Sequence, residues 1–465
     1  MQTIAAIATA RGTGGIAVIR ISGERAFEIG SRLFYHRSKE FGRIPANLAV
    51  FGGILKNGAV IDEGIFLKFY APRSYTGEDT LEISCHGGVY IANSVLSAAI
   101  EAGARLAQPG EFTKRAYINS KITLTGAEAV GRLISAASEI GARVASAQAK
   151  GGLSRRIEHI SNGIKKLISE IYVYIDYPGE DLQDISPEDM LASLSGISAG
   201  LRDLRDSYNN AGKIIADGIN CAIIGKPNAG KSTLLNLLAR YEAAIVHETP
   251  GTTRDIISAR VNLGRFTLNL FDTAGIRESG QACEIENIGI KKTREKTAEC
   301  DLIIGVLAAD NINAGDKIIL EILREQKNSG KKILLLLNKC DVCNDINTEL
   351  LYGFDYEFIS ARENISVMPG VPALQVIENK LEGIYKLDLY NLDSGEILTE
   401  ERQYFEICAA FENIKSAADA LKNGFSQDIA GLDLELAAQN LDRCDSNAVS
   451  EDIVARIFKN FCVGK

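Results

Sequence analysis

A glycine-rich loop, GKPNAGKS at Gly225–Ser232, leaves the apolar run Ile219–Ile224 and opens a helical pattern. A phosphate-binding loop needs this strand–loop–helix setting, because backbone amides between Gly225 and Lys231 then converge at a helix N-terminus. Four further motifs follow in fixed order: TPGTTRD at Thr249–Asp255, DTAG at Asp272–Gly275, NKCD at Asn338–Asp341 and SAR at Ser360–Arg362. Each answers a separate chemical need of a bound guanine nucleotide.

Lys231 is placed to reach the β- and γ-phosphates, and the Ser232 hydroxyl is a hard oxygen ligand suited to Mg²⁺. Thr253 is the candidate second protein ligand to Mg²⁺. Asp272 is expected to touch the ion through water, and Gly275 offers an amide to the γ-phosphate. Loops held in this way are ordered by the γ-phosphate and released after hydrolysis. Asp341 can accept both N1–H and the exocyclic amine of guanine. Adenine lacks that amine, so the motif selects GTP over ATP. Asn338 and Lys339 frame the base, and Ser360 and Ala361 support its O6. Asn228, Ala229, Gly230, Thr233, His247, Glu248, Pro250, Gly251, Thr252, Thr273, Ala274 and Arg362 complete the expected GTP-binding set.

The 465 residues exceed one ordinary core, so several domains are expected. Apolar runs such as Ile333–Leu337 are too short to span a bilayer, and the N-terminus MQTIAAIATARG does not read as a signal peptide. No membrane association is expected, and the nine scattered cysteines read as reduced thiols of a cytoplasmic protein. Cys340 and Cys343 form a CxxC without a second half, which is weak grounds for zinc or redox chemistry. A net charge of −9 excludes a generally basic nucleic-acid binder, so any RNA contact must come from a local patch or a partner.

Residues 1–118 are rich in glycine and β-branched residues, with strands at Ile16–Ile21 and Thr80–Ser84 and a helix over Val89–Ala102. This predicts an α+β unit. Residues 119–217 turn helical, with apolar spacing of three and four over Ala127–Ala149 and Leu153–Tyr174. Pro178-Gly179 breaks the run, and Ser186-Pro187 opens a new helix with Ser186 as N-cap. Residues 218–383 alternate strands (Ile219–Ile224, Phe266–Phe271, Leu302–Leu307, Ile333–Leu337, Phe358-Ile359) with helices, the pattern of a doubly wound parallel sheet. Residues 384–465 are helical again. The expected fold class is multi-domain α/β plus α, a P-loop G domain inserted into a discontinuous helical domain.

After DTAG, a Ras-like switch carries a glutamine that orients the attacking water. Ile276 stands there and cannot do so. Either the chain is a slow, binding-only switch, or another residue and another positive charge serve catalysis. Asn228 favours the second reading, since its amide oxygen could hold a monovalent cation between the phosphates. Such a K⁺ could do the work of an arginine finger, worth roughly 10³ to 10⁵ in rate. Asparagine in a glycine-rich turn is equally often a plain turn former.

Outside the G motifs, the chain carries VIRISG (Val18–Gly23), SYTGEDTLEISCHGG (Ser74–Gly88), PGEFTKRAYINSKITLTGAEAV (Pro109–Val130), AAIVHETPGTTRD (Ala243–Asp255), ENIGI (Glu286–Ile290) and the terminal RIFKNFCVGK (Arg456–Lys465). With these it resembles the MnmE (TrmE) family of tRNA-modification GTPases over essentially its whole length. The resemblance implies a homodimer through an N-terminal tetrahydrofolate-binding domain. It also implies a complex, a heterotetramer, with the flavoprotein MnmG, and an aminomethyl-type group (carboxymethylaminomethyl) placed on C5 of the wobble uridine of certain tRNAs. The one-carbon donor would be 5,10-methylenetetrahydrofolate or 5-formyltetrahydrofolate. GTP hydrolysis would follow K⁺-dependent pairing of two G domains.

By the same resemblance, Asn228, His247, Thr249 and Thr252 match the K⁺ loop. The catalytic glutamate falls at Glu286, counted back from Ile288-Gly289-Ile290; counting forward from Asp272 gives Glu284 instead. His247 and Pro250 depart from the more common loop residues, which matters little where the K⁺ contacts are backbone carbonyls. Arg20, Glu82 and Lys121 match folate-binding positions: Glu82 is suited to the donor N–H groups of a pterin, Arg20 and Lys121 to carboxylate or carbonyl oxygens. In the terminal CVGK, Gly464 and Lys465 do not suit a prenylation signal. The resemblance implies a tail that reaches the folate site, with Lys465 on the folate and Cys462 near the one-carbon unit, either as a nucleophile or as a packed thiol.

A ribosome-assembly or switch GTPase without folate chemistry is the alternative, since TPGTTRD also occurs in that class. It would normally carry a basic RNA-binding appendage with GxxG, and none follows the G domain here.

Overall fold

A computed structural model of the chain describes residues 1–176, 186–241, 257–271, 294–342, 349–366, 370–445, 451–459, 461 and 464. These fall into two compact units. One comprises Met1–Ile134, Ser146–Leu201 and Phe405–Lys465; the other comprises Ser135–Ala145 and Arg202–Tyr404. The architecture is α/β plus α with several domains, as the sequence pattern implied.

In the first unit, strands β1 (Ile4–Ile7), β2 (Ile16–Ser22), β3 (Phe34–Tyr35), β4 (Val50–Lys56), β5 (Ala59–Phe69), β6 (Thr80–His86) and β7 (Arg105–Leu106) form a 7-stranded sheet ordered β3-β4-β5-β6-β2-β1-β7. All pairs are antiparallel except β1 with β7. Alternation along the central strands sends Ile19, Ile21, Leu81, Ile83 and Phe66 into a core with Ile29 and Leu33 of helix Ala26–Leu33 and Val95 and Ala99 of helix Val89–Glu101. The same period of two sends Arg20 and Glu82 to the opposite face. The long helices Gly152–Asp176 and Gln427–Asp445 pack together, joined by Lys165–Asp442 at 3.1 Å and by a hydrogen bond from the Tyr172 hydroxyl to Glu435.

The terminal helix Glu451–Lys459 brings Val454 and Phe458 against Tyr117, Leu124 and Ala127. Beyond it, Gly464 lies on β1: a Cβ there would stand 2.2 Å from the Ile7 carbonyl oxygen. The sequence pattern predicted one helix over 127–149. The structure has two, Leu124–Ser135 and Glu139–Ala149. Ser138 explains the break: its Oγ accepts from the Gly141 amide at 3.2 Å, capping the second helix. At Ser186 the expected cap is present, with Oγ accepting from the Asp189 amide at 3.1 Å and donating to its carboxylate at 2.8 Å.

The second unit holds another 7-stranded sheet, ordered β14-β13-β12-β11-β8-β10-β9. Its strands are β8 (Ile219–Ile224), β9 (Ile257–Leu263), β10 (Phe266–Phe271), β11 (Leu302–Ala308), β12 (Lys332–Asn338), β13 (Tyr356–Ser360) and β14 (Ile365–Ser366). Strands β10, β8, β11, β12 and β13 run parallel, with antiparallel β9 and β14 at the edges. The chain lays β10 on one side of β8, then crosses to lay β11 on the other. The strand order therefore reverses at β8, and ligands of such sheets bind at the carboxyl edge beside that reversal.

Candidate functional site

Three sequence motifs lie on that carboxyl edge because their strands are parallel. The phosphate loop follows β8, NKCD begins on the last residue of β12, and SAR begins on the last residue of β13. β10, parallel to β8, ends at Phe271, immediately before Asp272.

Two glycines of the phosphate loop are required by close packing. At Gly225 a Cβ would stand 2.2 Å from the Val306 carbonyl oxygen, and at Gly230 (φ +97°) it would stand 2.0 Å from Asn338 Nδ2. Asn228 is exposed with φ +63°, so it fills the turn-former role as well as being available to a ligand. The Lys231 ammonium donates to the carbonyls of Gly225 at 2.8 Å and Lys226 at 2.7 Å. An ammonium has three donors, so one remains for a phosphate oxygen. Burial lowers the Lys231 pKa, a cost that an anionic ligand would offset. Ser232 and Thr233 are exposed on the first turn of helix Lys231–Tyr241, at its positive end. Exposed hydroxyls beside an amide cradle and an ammonium are a donor set that fits a nucleotide phosphate with Mg²⁺.

Asn338 joins three motifs. Its side chain is buried, with Nδ2 donating to the Ala229 carbonyl at 2.9 Å and Oδ1 accepting from the Ala361 amide at 2.9 Å. Its polar atoms are thus occupied by protein, which ties the three motifs together. Lys339 takes φ +67° and lies 3.4 Å from Asp310. Asp341 and Arg362 are exposed, whereas Ser360 and Ala361 are buried. Burial, and then the Asp341 charge, push the Cys340 thiol pKa up, which leaves it little thiolate at neutral pH. Its CxxC partner Cys343 lies outside the described residues, as do His247, Glu248, Thr249, Pro250, Gly251, Thr252, Thr253, Asp272, Thr273, Ala274, Gly275, Glu284, Glu286, Cys462 and Lys465.

In the first unit, Arg20 and Glu82 face each other across β2 and β6 and form an ion pair at 2.8 Å. The guanidinium lies 5.5 Å from the centroid of the Tyr75 ring and 5.7 Å from that of Phe112. Tyr75 is fixed by a hydrogen bond at 2.9 Å between its hydroxyl and Thr113 Oγ1, and burial raises its pKa. Lys121 donates to the Pro72 carbonyl at 3.0 Å. Below this face, Arg115 is buried and binds Glu78 at 2.9 Å and Glu111 at 3.0 Å. Phe112 is fully buried and backs the guanidinium from the core, whereas Tyr75 is partly exposed; a charged pair beside one accessible aromatic ring fits a flat heterocycle with polar edges. Sequence reasoning missed Tyr75 as a wall residue and Phe112 as the buried ring behind Arg20, although both lie inside the quoted motifs.

A parallel sheet that reverses at β8, with a phosphate loop at the reversal and NKCD and SAR beside it, defines a P-loop guanine-nucleotide-binding protein. Residues 3–121 match the family model described as GTP-binding protein TrmE N-terminus, and residues 124–462 match the MnmE helical domain. The tRNA modification GTPase MnmE of Acetivibrio thermocellus is 37% identical over 471 residues, covering 100% of this chain and 99% of that protein. Those of Clostridioides difficile and Caldicellulosiruptor saccharolyticus are each 36% identical, with the same coverage. The chain belongs to the MnmE family of tRNA modification GTPases, and it is a GTP hydrolase. Among the described residues no helix is long and apolar enough to cross a membrane.

Proposed function

We propose that the chain hydrolyses GTP in a K⁺-dependent manner and, with the flavoprotein MnmG, adds an aminomethyl-type group to C5 of the wobble uridine of certain tRNAs, using a tetrahydrofolate one-carbon unit. The observation that carries this reading is the combination in one chain of a guanine-nucleotide edge tied together by Asn338 and a second, separate polar–aromatic site at Arg20, Glu82, Tyr75 and Phe112.

On the nucleotide edge, Lys231 and the loop amides hold the phosphates and Asp341 selects guanine. Ser232 and Thr253 would hold Mg²⁺. Asn228, with His247, Thr249 and Thr252, would hold K⁺, which supplies positive charge to the phosphates. Glu286 orients the attacking water in place of the missing glutamine. On the other site, Glu82 accepts from the pterin N–H groups, Arg20 and Lys121 bind oxygens, and the partly exposed Tyr75 ring packs against the heterocycle.

Gly464 supports a tail role for Cys462 and Lys465. It lies on Ile7, one residue from Ala6, which pairs with Arg20 across β1 and β2. Homodimerisation is favoured by exposed apolar residues on the first sheet, Ile16, Phe51 and Ile65, which would be shielded by a second copy.

The deciding experiment is nucleoside mass spectrometry of bulk tRNA from cells lacking this protein, with Asp341→Asn as the rescue control. Loss of a C5-substituted wobble uridine, restored by the wild type and not by the variant, is expected. Unchanged wobble uridines would refute the proposal. Arg20→Ala should abolish the modification while leaving GTP turnover intact, and replacing K⁺ by Na⁺ should slow GTP turnover.

A further inference from the structure

Lys226, the second residue of the phosphate loop, turns its side chain to the segment that follows β11. Its ammonium lies 2.6 Å from Asp316 Oδ2, 3.0 Å from Asn313 Oδ1 and 3.4 Å from the Asn311 carbonyl oxygen. These acceptors take up all three of its donors, so Lys226 has none left for a ligand. All of them lie in residues 309–316, which follow β11. The carbonyl of the same Lys226 accepts from the Lys231 ammonium at 2.7 Å. One residue thus ties the phosphate-binding lysine, through its backbone, to a buried carboxylate, through its side chain.

Asp316 is fully buried, and its Oδ2 also accepts from the Asn313 amide at 3.0 Å in a capping box. Its Oδ1 is buried without a hydrogen-bond partner among the described residues. A well-packed apolar pair of similar volume would serve stability at least as well as a buried ion pair with an unsatisfied oxygen. Stability alone therefore does not account for Asp316. A short ionic contact does fix direction: it holds the Lys226 side chain in one geometry, and with it the carbonyl that aims Lys231.

We propose that Asp316 is a positioning residue for GTP binding and hydrolysis, acting through Lys226 on the ammonium of Lys231. The inference rests on the GTPase reading, and turnover by the wild-type chain is the control that separates the two. A carboxylate acting only on local packing would affect folding and leave the phosphate interaction unchanged.

The test is a double-mutant cycle in the full-length protein, measuring GDP affinity and steady-state GTP hydrolysis. Asp316→Asn keeps an acceptor for the Asn313 amide and removes the charge. It is expected to weaken GDP binding roughly tenfold, as for loss of one charge-assisted hydrogen bond, and to lower kcat by at least as much. The preference for GDP over ADP, set by Asp341, should be unchanged. In a Lys231→Ala background, Asp316→Asn should have no further effect. Equal losses in both backgrounds, or wild-type affinity and kcat for Asp316→Asn alone, would overturn the proposal. Should Asp316→Asn not fold, the neutral pair Lys226→Gln/Asp316→Asn replaces it in the same cycle, with the same expected and refuting results.

Discussion

Truncating Asn338 to alanine should loosen two loops at once. The side chain is 3% exposed and makes one hydrogen bond to each neighbouring motif, at 2.9 Å to the Ala229 carbonyl and at 2.9 Å from the Ala361 amide. Removal leaves a buried carbonyl and a buried amide without partners, each costing about 1–3 kcal/mol, so a local loss of about 3 kcal/mol is expected. Asn338→Asp should be nearly as damaging. It keeps the acceptor for Ala361 but sets a carboxylate oxygen against the Ala229 carbonyl. Global unfolding is a poor assay for a chain of more than one unit, and with no tryptophan its intrinsic fluorescence is weak. Amide hydrogen exchange reads the effect where it occurs. Protection should fall at Ala361 and in the segment 229–234, together with a loss of GDP affinity of more than tenfold. Weaker GDP binding with unchanged exchange at both places would refute the reasoning, because Asn338 would then act on the base alone.

Gly230→Ala combines a left-handed backbone with a 2.0 Å approach to Asn338 Nδ2, whereas Gly330→Ala has a similar φ (+84°) and nothing within 4 Å. Both should lose about 1 kcal/mol to backbone strain, and only Gly230→Ala should in addition lose nucleotide binding, as measured by GDP titration. Glu111 predicts an acid transition in the first unit. Burial works to raise its pKa, but Arg105, the Gln108 amide and Arg115 outweigh this and hold it at about 2. The folded pKa lies below the ordinary carboxylate value. The stabilisation, about 3 kcal/mol on the linkage relation, is therefore complete above about pH 4.5 and is lost as pH falls toward about 2. Glu111→Gln should remove it at neutral pH and flatten that part of the pH–stability curve followed by circular dichroism; an unchanged curve would count against the ion pairs.

Much of the nucleotide edge was legible in the sequence, for a physical reason. Phosphate cradling and guanine recognition each demand particular residue types at short spacing, so GKPNAGKS, NKCD and SAR stand out in the sequence. The strands that carry them stand out as apolar runs because both faces of a parallel sheet are buried. The same clarity fixed the helix start at Ser186, where a hydroxyl, a proline and an acid fall within four residues. The break at Ser138 was hidden, because the apolar spacing continues through 127–149 and a single serine cap overrides it.

What only the tertiary structure decided are contacts between residues far apart in the chain. Nothing local marks Asn338 as the tie between Ala229 and Ala361, or pairs Asp316 with Lys226. The strand register sets Arg20 opposite Glu82, and the packing of the β5–β6 connection and of helix Glu111–Ile118 brings Tyr75 and Phe112 to the guanidinium. A motif reports the chemistry that a short stretch can perform alone. A buried polar contact depends on which strands become neighbours, and that is set by the packing of the whole sheet.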